Sequence, residues 1–430
     1  MSDSDAIRQP HVVIVGGGFG GMGCARTLGG APVRVTVVDR NNYNLFSPLL
    51  YQVATAALSP ADIAQPIRKL LKRQPLTDVM RAQVVGIDYA GKQVLLAGGK
   101  MLSYDRLVLA CGSSYSYFGH DEWAGEAPAV KTIEDALRIR ARLLTAYERA
   151  EVSQDPAEQA FLLSTIIVGG GPTGVEMAGA IADLTRFALK KDFRHIRADM
   201  AHITLIEAGP RLLAAFPESL AAHARKMLER HAVTVMTGEA VRGIERNSVR
   251  VGELTLKAGT LIWAAGVQAS PAGRWLGVEV DRAGRLPVGA DLSVTGHPDI
   301  YAIGDTAAAI GANGKPLPAL AQVAKQQGLA LGRALRANIL QQKPMPAFHF
   351  HDRGNTAVIS SGAAIYDFRG SHLSGFVGWA FWALIHVYLL TGFRNRILVA
   401  TQWLWRLATF EPGARLITGT DDPHKPAPSS

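Results

Sequence analysis

Cysteine is nearly absent from this chain. Cys24 and Cys111 are the only two in 430 residues, far apart and with no CxxC pair. A zinc ribbon, an iron–sulfur cluster, a disulfide framework and a redox-active dithiol all need more thiols at closer spacing, so each is excluded and no metal is expected. Charge is sparse too: 19% of residues are charged against 48% hydrophobic, which excludes disorder for all but a polar tail at 419–430. The amino terminus, MSDSDAIRQP, lacks the apolar run of a secretory signal, so the chain is expected to start in the cytoplasm. Acidic residues are outnumbered, leaving a net charge of +9. That excess admits nucleic acid, an anionic membrane surface or anionic cofactors as partners. No basic patch interleaved with aromatics supports the first. At this length two or three domains are expected.

Glycine is plentiful, and its placement carries information. HVVIVGGGFGGMGCARTLGG reads as a strand, a glycine turn and a helix, with Gly16, Gly18 and Gly21 in the GxGxxG spacing and Phe19 and Gly20 between them. The first glycine makes a tight turn, the second lets the backbone approach a pyrophosphate, and the third lets helix and strand pack closely. A second strand, VRVTVVDR, ends in Asp39, where a carboxylate can accept hydrogen bonds from a ribose diol. The arrangement is then written again. STIIVGGGPTGVEMAGAIADL places Gly169, Gly171 and Gly174 around Gly170, Pro172 and Thr173, and HITLIEAG ends its strand in Glu207. Glu207 would repel a 2′-phosphate, which favours NADH over NADPH, with Arg211 near enough to be the opposing influence.

Two such units, the first at the amino terminus, match a plan in which an FAD domain is interrupted by an NADH domain, and that plan requires a later return to the flavin. HPDIYAIGDTA supplies it, with Gly304 and Asp305 placed for ribityl and phosphate groups. LVLACG, with Ala110 and Gly112, and LIWAAG, with Ala265 and Gly266, mark crossings between the domains. Any one of these could be an ordinary buried strand and turn. Their order makes coincidence a poor explanation. The expected architecture is α/β: two Rossmann-like dinucleotide-binding domains, FAD at 10–118 and 285–345 and NADH at 119–284, then a membrane-anchoring region at 346–418.

NNYNLFSPLLYQVATAALSPADIAQPIR, YFGHDEWAGEAPAVKTIEDA, LIEAGPRLLAAFPESL, IWAAGVQASP and GFRNR, together with the second glycine loop, resemble the type II NADH dehydrogenases, single-subunit NADH:quinone oxidoreductases of bacterial and mitochondrial membranes. The resemblance runs from about Val12 to about Thr418. It implies hydride transfer from NADH to non-covalent FAD, then two electrons to a membrane quinone, ubiquinone or menaquinone, with no proton pumping. It also implies that Glu176, on the first turn of the second loop's helix, positions the reactants or delivers a proton; a carboxylate favoured by the helix dipole is the plainer reading. PALAQVAKQQG resembles the quinone-site helix, with Gln322 and Gln326 on one face. A polar pair of that spacing can equally be solvated surface. The chain departs from the resemblance at Ser360, Ser361 and Gly362, where many relatives carry a glycine followed by basic residues, and at Cys111, where threonine is more usual.

The carboxy-terminal region holds LSGFVGWAFWALIHVYLLTGF (Leu373 to Phe393), 21 residues without an Asp, Glu, Lys or Arg. Trp379, Trp382, Trp403 and Trp405 are four of the chain's seven tryptophans, and Arg394 and Arg396 sit in GFRNR. A monotopic anchor follows, with helices dipping into one leaflet, tryptophans at the headgroup boundary and arginines on anionic headgroups. A transmembrane span and a buried dimer interface are the alternatives; the length allows the span. A homodimer on the cytoplasmic face of the inner membrane is expected. Three other functions share parts of the pattern: a sulfide:quinone oxidoreductase, which needs cysteines at the flavin; a soluble ferredoxin reductase, which has no use for Leu373 to Phe410; and a non-catalytic NADH-responsive sensor.

Overall fold

The structure, a computed structural model, describes residues 9–368, 370–409 and 414–417. The tail expected at 419–430 lies outside the described residues. The chain divides into two compact units, one comprising the chain to Leu45 with Ala64–Ser114 and Val267–Asp352, the other Phe46–Ile63, Tyr115–Gly266 and the chain from Arg353. The sequence boundaries differ from this division at several places. Residues 267–284 and 346–352 belong with the first unit, while Phe46–Ile63 and 115–118, inside the expected FAD segment, and the expected anchoring region from Arg353 belong with the second.

The first unit is built on a six-stranded sheet in the spatial order Ser293–Val294, His297–Ala302, Arg106–Leu109, His11–Val15, Arg34–Asp39 and Thr77–Arg81. His11–Val15 runs parallel to both neighbours, Val12 facing Val35 on one side and Arg106 on the other. All five of its residues are buried. A strand covered on both faces cannot alternate polar and apolar residues, so it reads as the continuous run HVVIV. Apolar side chains of this sheet form cores on both faces, one including Val12, Ile14 and Val35 and the other Val13, Val15 and Leu107.

The second unit repeats the plan on four parallel strands in the order Val233–Thr237, Ile203–Glu207, Thr165–Val168 and Thr260–Trp263. In both sheets the first strand of the unit lies between its second and a strand from much later in the chain. The order therefore reverses beside it, which opens a crevice at the carboxyl ends of the strands. Its long helix Ile133–Val152 starts at a capping box, in which Thr132 accepts from the Asp135 N–H at 3.1 Å and Asp135 accepts from the Thr132 N–H at 2.9 Å. Beyond the strands Asn355–Ser360, Ala363–Phe368 and Ser371–Leu373 come two helices, Gly375–Leu389 and Phe393–Thr409. The uncharged run Leu373 to Phe393 is thus not one helix. It is broken by the strand before Gly375 and the turn after Leu389. No helix among the described residues is long and apolar enough to cross a membrane.

Candidate active site

The two glycine loops have the same construction. In the first unit Gly16 takes a φ of +105°, and a Cβ there would lie 2.2 Å from the Ala110 carbonyl oxygen. In the second Gly169 takes +115°, with its Cβ 2.7 Å from the Ala265 nitrogen. A Cβ on Gly21 would stand 1.8 Å from the Gly16 carbonyl oxygen, and one on Gly174 would stand 1.8 Å from that of Gly169. Any side chain at these four positions would push the turn open. At Gly18 and Gly171 a Cβ would meet nothing within 4 Å. The middle glycine of each loop therefore borders open space, which is where a pyrophosphate would approach the backbone.

Each loop is also clamped by the acidic end of its second strand. Asp39 accepts from the Gly17 N–H at 2.6 Å and from the Asn41 N–H at 2.7 Å. Glu207 accepts from the Gly170 N–H and from the Gly209 N–H, both at 2.6 Å. Burial pushes the Asp39 carboxyl up, while these backbone donors pull it back. The carboxylates are fixed in place and keep lone pairs for a ribose diol. Arg211 is committed elsewhere, donating to the Phe216 carbonyl at 2.9 Å and the Ala214 carbonyl at 2.8 Å. It holds its own loop together, so the opposition to Glu207 raised by the sequence is weak.

The later segment of the first unit closes on the same sheet edge. The Ser113 hydroxyl donates to Asp305 at 2.5 Å, and the Gly112 N–H donates to Thr306 Oγ1 at 3.1 Å. Gly112, at a φ of +70°, again faces space within 4 Å. Gln327, which the sequence reading passed over for Gln322 and Gln326, is fully buried and accepts from the Gly304 N–H at 2.6 Å. Its Nε2 has no partner among the described residues. A buried amide donor, open glycines and an immobilised carboxylate along one edge fit a bound dinucleotide of FAD type. Gln326 clasps the His351 backbone, donating to its carbonyl at 2.9 Å and accepting from its N–H at 3.0 Å. Gln322 is half-buried on the same helix, Ala321–Gln341.

Glu176 requires a correction. The helix of the second loop begins at Pro172, so Glu176 is its fifth residue and lies past the first turn, where the dipole is felt most. Its carboxyl is half-buried by exposed area but deep in the unit, and burial pushes it up to about 8, opposed only by a long 3.4 Å donation from the Val358 N–H. Two turns further on, Asp183 accepts from the Ser361 N–H at 2.7 Å and faces Arg406 at 3.9 Å. Ser360 to Gly362, without a basic residue of their own, thus have an arginine brought to them from the last helix.

The carboxy-terminal tryptophans also divide. Trp382 and Trp403 were expected at a lipid boundary, but they are core: 1% and 6% exposed, 4.7 Å apart, with the Trp403 indole donating to Gln52 at 2.8 Å. His386 stacks on Trp382 at 4.4 Å, and burial lowers it to about 4, so a histidine within an apolar run is here a neutral core residue. Arg396 caps the turn by donating to the Leu390 carbonyl at 2.8 Å, while Arg394 is exposed. Trp379 is half-buried and stacks on Phe376, and Trp405 is 62% exposed. Val377, Phe381, Leu384 and Tyr388 make an exposed apolar stripe along the first of these helices, joined by Phe393, Ile397 and Leu404 on the second. Cys24 and Cys111 are unpaired, both with thiols pushed up to about 12 by burial.

Comparison with known proteins agrees with this geometry. Residues 10–328 match the family described as pyridine nucleotide-disulphide oxidoreductase. The chain is 37% identical over 425 residues to the type II NADH:quinone oxidoreductase Ndh of Mycobacterium tuberculosis, covering 96% of this chain and 91% of that one. It is 30% identical over 436 residues to the internal alternative NAD(P)H-ubiquinone oxidoreductase A1 of Arabidopsis thaliana mitochondria, covering 92% and 84%. The solved structure of NDH2 from Plasmodium falciparum in complex with NADH superposes with a TM-score of 0.87 at 22% identity, over 96% of this chain and 100% of that one, which shows a shared fold.

Proposed function

The chain belongs to the type II NADH:quinone oxidoreductases, within the pyridine nucleotide-disulphide oxidoreductases, and from that premise we propose how its residues share the reaction. It is an enzyme that passes electrons from NADH to a quinone without pumping protons. One observation carries the assignment of parts: the same glycine turn, clamped by the same kind of carboxylate at 2.6 Å, occurs once in each unit.

In this reading the first loop holds FAD non-covalently. Gly16 to Gly21 and the start of the helix at Phe19 receive the pyrophosphate, Asp39 the ribose, and Ala110, Gly112, Gly304 and Asp305 the ribityl side. Bound there, FAD supplies two-electron chemistry that no side chain of this protein has. The second loop, Gly169 to Gly174 with Glu207, Ala265 and Gly266, holds NADH. Glu207 favours the ribose diol over a 2′-phosphate by like-charge repulsion. Glu176 holds a proton for the acceptor step, and Gln322 and Gln326 order the acceptor side of their helix. The unpaired, inert thiols speak against sulfide chemistry. The exposed stripe from Val377 to Leu404, with Trp405 and Arg394, lies in one leaflet on the cytoplasmic face of the inner membrane, and a homodimer is the assembly expected there.

The test is anaerobic stopped flow on the flavin-loaded protein. NADH should bleach the flavin rapidly, NADPH should do so poorly, and a short-chain ubiquinone or menaquinone should restore the colour. Bleaching that neither quinone reverses would defeat the assignment, and binding without bleaching would favour a sensor.

A further inference from the structure

The reaction leaves one requirement unassigned. Oxidising NADH and reducing a quinone to a quinol consumes one hydride and one proton, and the proton must come from solvent. The proposed donor, Glu176, is deep in its unit. On the same face of its helix, at spacings of four and seven, stand Ala180 and Asp183. The helix lies close enough to the strand Asn355–Ser360 that a Cβ on Gly179 would sit 1.6 Å from the Ile359 carbonyl oxygen. That close approach brings Asp183 to Ser361. Beside them is a cavity of about 40 Å³ lined by Tyr51, Asp183, Ser360, Trp403 and Arg406 among others. It has room for roughly three waters, and its walls offer the two to four polar partners each water needs.

We propose that this cavity is the route by which solvent protons reach Glu176, with Asp183 as the relay carboxylate and Tyr51 as the hydroxyl that bridges to Glu176. The inference rests on the role of Glu176 given above. A proton enters beside Arg406, whose side chain is 16% exposed, and is taken by Asp183, whose side chain is 6% exposed. It passes through cavity water to the Tyr51 oxygen as Tyr51 gives up its own proton toward Glu176. Glu176 then loses its proton to the acceptor and is restored, so no group changes its net protonation over a turnover. The groups facing Asp183 are Arg406 from Phe393–Thr409 and the Ser361 N–H, and Tyr51 from Leu50–Ala54 lines the same cavity. The Glu176 carboxylate accepts from the Val358 N–H, and Val358, Ala180 and Tyr51 all line the cavity. Gln52 Nε2 donates to the Tyr51 oxygen at 2.9 Å, which leaves the phenol hydrogen to be passed on. Burial and the Glu176 charge hold the Tyr51 phenol well above its usual range, so it works as a neutral hydroxyl.

The experiment uses the flavin-loaded enzyme reduced with one equivalent of NADH, mixed with a short-chain ubiquinone in H₂O and in D₂O from about pH 5.5 to about pH 9. Asp183→Asn and Tyr51→Phe should leave the NADH half-reaction within about twofold and slow the acceptor half-reaction about tenfold or more, with a larger solvent isotope effect. Imidazole in the buffer should restore part of the Asp183→Asn rate. Tyr51→Phe keeps the inference testable if Asp183→Asn folds poorly. Parental rates and isotope effects in both variants, with Glu176→Gln slow, would overturn the relay and leave the role of Glu176 standing. An unaffected Glu176→Gln would remove that role and the relay with it.

Discussion

Replacing Glu176 by glutamine should change how stability depends on pH, and the structure fixes the sign. The carboxyl stands at about 8 in the folded chain against an ordinary value of 4.5. Between those two values the folded chain binds one proton more than the unfolded chain, so stability falls as pH rises through the window. The contribution of the neutral acid is fully present below pH 4.5 and has been lost above about pH 8. At 1.36 kcal/mol per pH unit the interval is worth roughly 5 kcal/mol as a ceiling, and relaxation of the ionised carboxylate toward water brings the expected value to about 3 kcal/mol. Glutamine keeps an oxygen for the Val358 N–H and cannot ionise. The stability of Glu176→Gln minus that of the parent should therefore rise by about 3 kcal/mol between about pH 5 and pH 9, or roughly 5–10 °C in the midpoint of that unit's transition. Calorimetry of the flavin-loaded proteins across that range measures it. A difference that is flat in pH, or that falls, would refute the burial argument.

Three other outcomes follow from the geometry. Glu207→Ser should raise the NADPH to NADH ratio of kcat/KM about 10- to 100-fold by removing like-charge repulsion, and adding Arg211→Ala should not reverse the gain, since Arg211 is bound to its own loop; steady-state kinetics with both nucleotides decides. Gly174→Ala, with its Cβ 1.8 Å from the Gly169 carbonyl oxygen, should abolish flavin bleaching by NADH while flavin content is kept, whereas Gly21→Ala should lose the flavin itself. Serine at Phe381, Leu384 and Trp405 together should reduce flotation with anionic liposomes about tenfold without lowering Tm, while Trp382→Ala should cost about 3–5 kcal/mol of stability, because that side chain is core.

Both glycine loops were legible because each position does a different steric job, and glycine is the residue that can do each of them. The strands were legible because burial on both faces leaves an unbroken apolar run. Burial within the carboxy-terminal helices was not. Trp382 and Trp405 look alike in sequence, and only the packing of one helix on the other turns the first inward, against Trp403 and His386, and the second outward. Gln327 was missed for a related reason. Gln322 and Gln326 form a recognisable i, i+4 pair, whereas the function of Gln327 comes from Gly304, 23 residues away in sequence. Phe46–Ile63 was placed in the wrong unit because a contiguous domain is the simplest reading, and because its partners, among them Asn395 donating to the Asp62 carbonyl at 2.7 Å, lie over 300 residues further along the chain.

The serine pair at Ser360 and Ser361 shows why a missing charge in sequence need not be missing in space. Many relatives were expected to carry a basic side chain on this turn, and its loss put the acceptor site in doubt. In the folded chain the turn gives Asp183 a backbone N–H from Ser361, and the positive charge arrives from Arg406, 45 positions later. An arginine on a helix and a lysine on a turn can serve one carboxylate equally, because Coulomb attraction depends on distance and not on connectivity. Arg406→Gln should then behave as the loss of that basic residue: Asp183, 4% exposed, is left buried without its cation, and the acceptor half-reaction should slow several-fold. Arg406→Lys should bring the rate most of the way back, and equal rates in the glutamine and lysine variants would show that the arginine serves only to pack the helix.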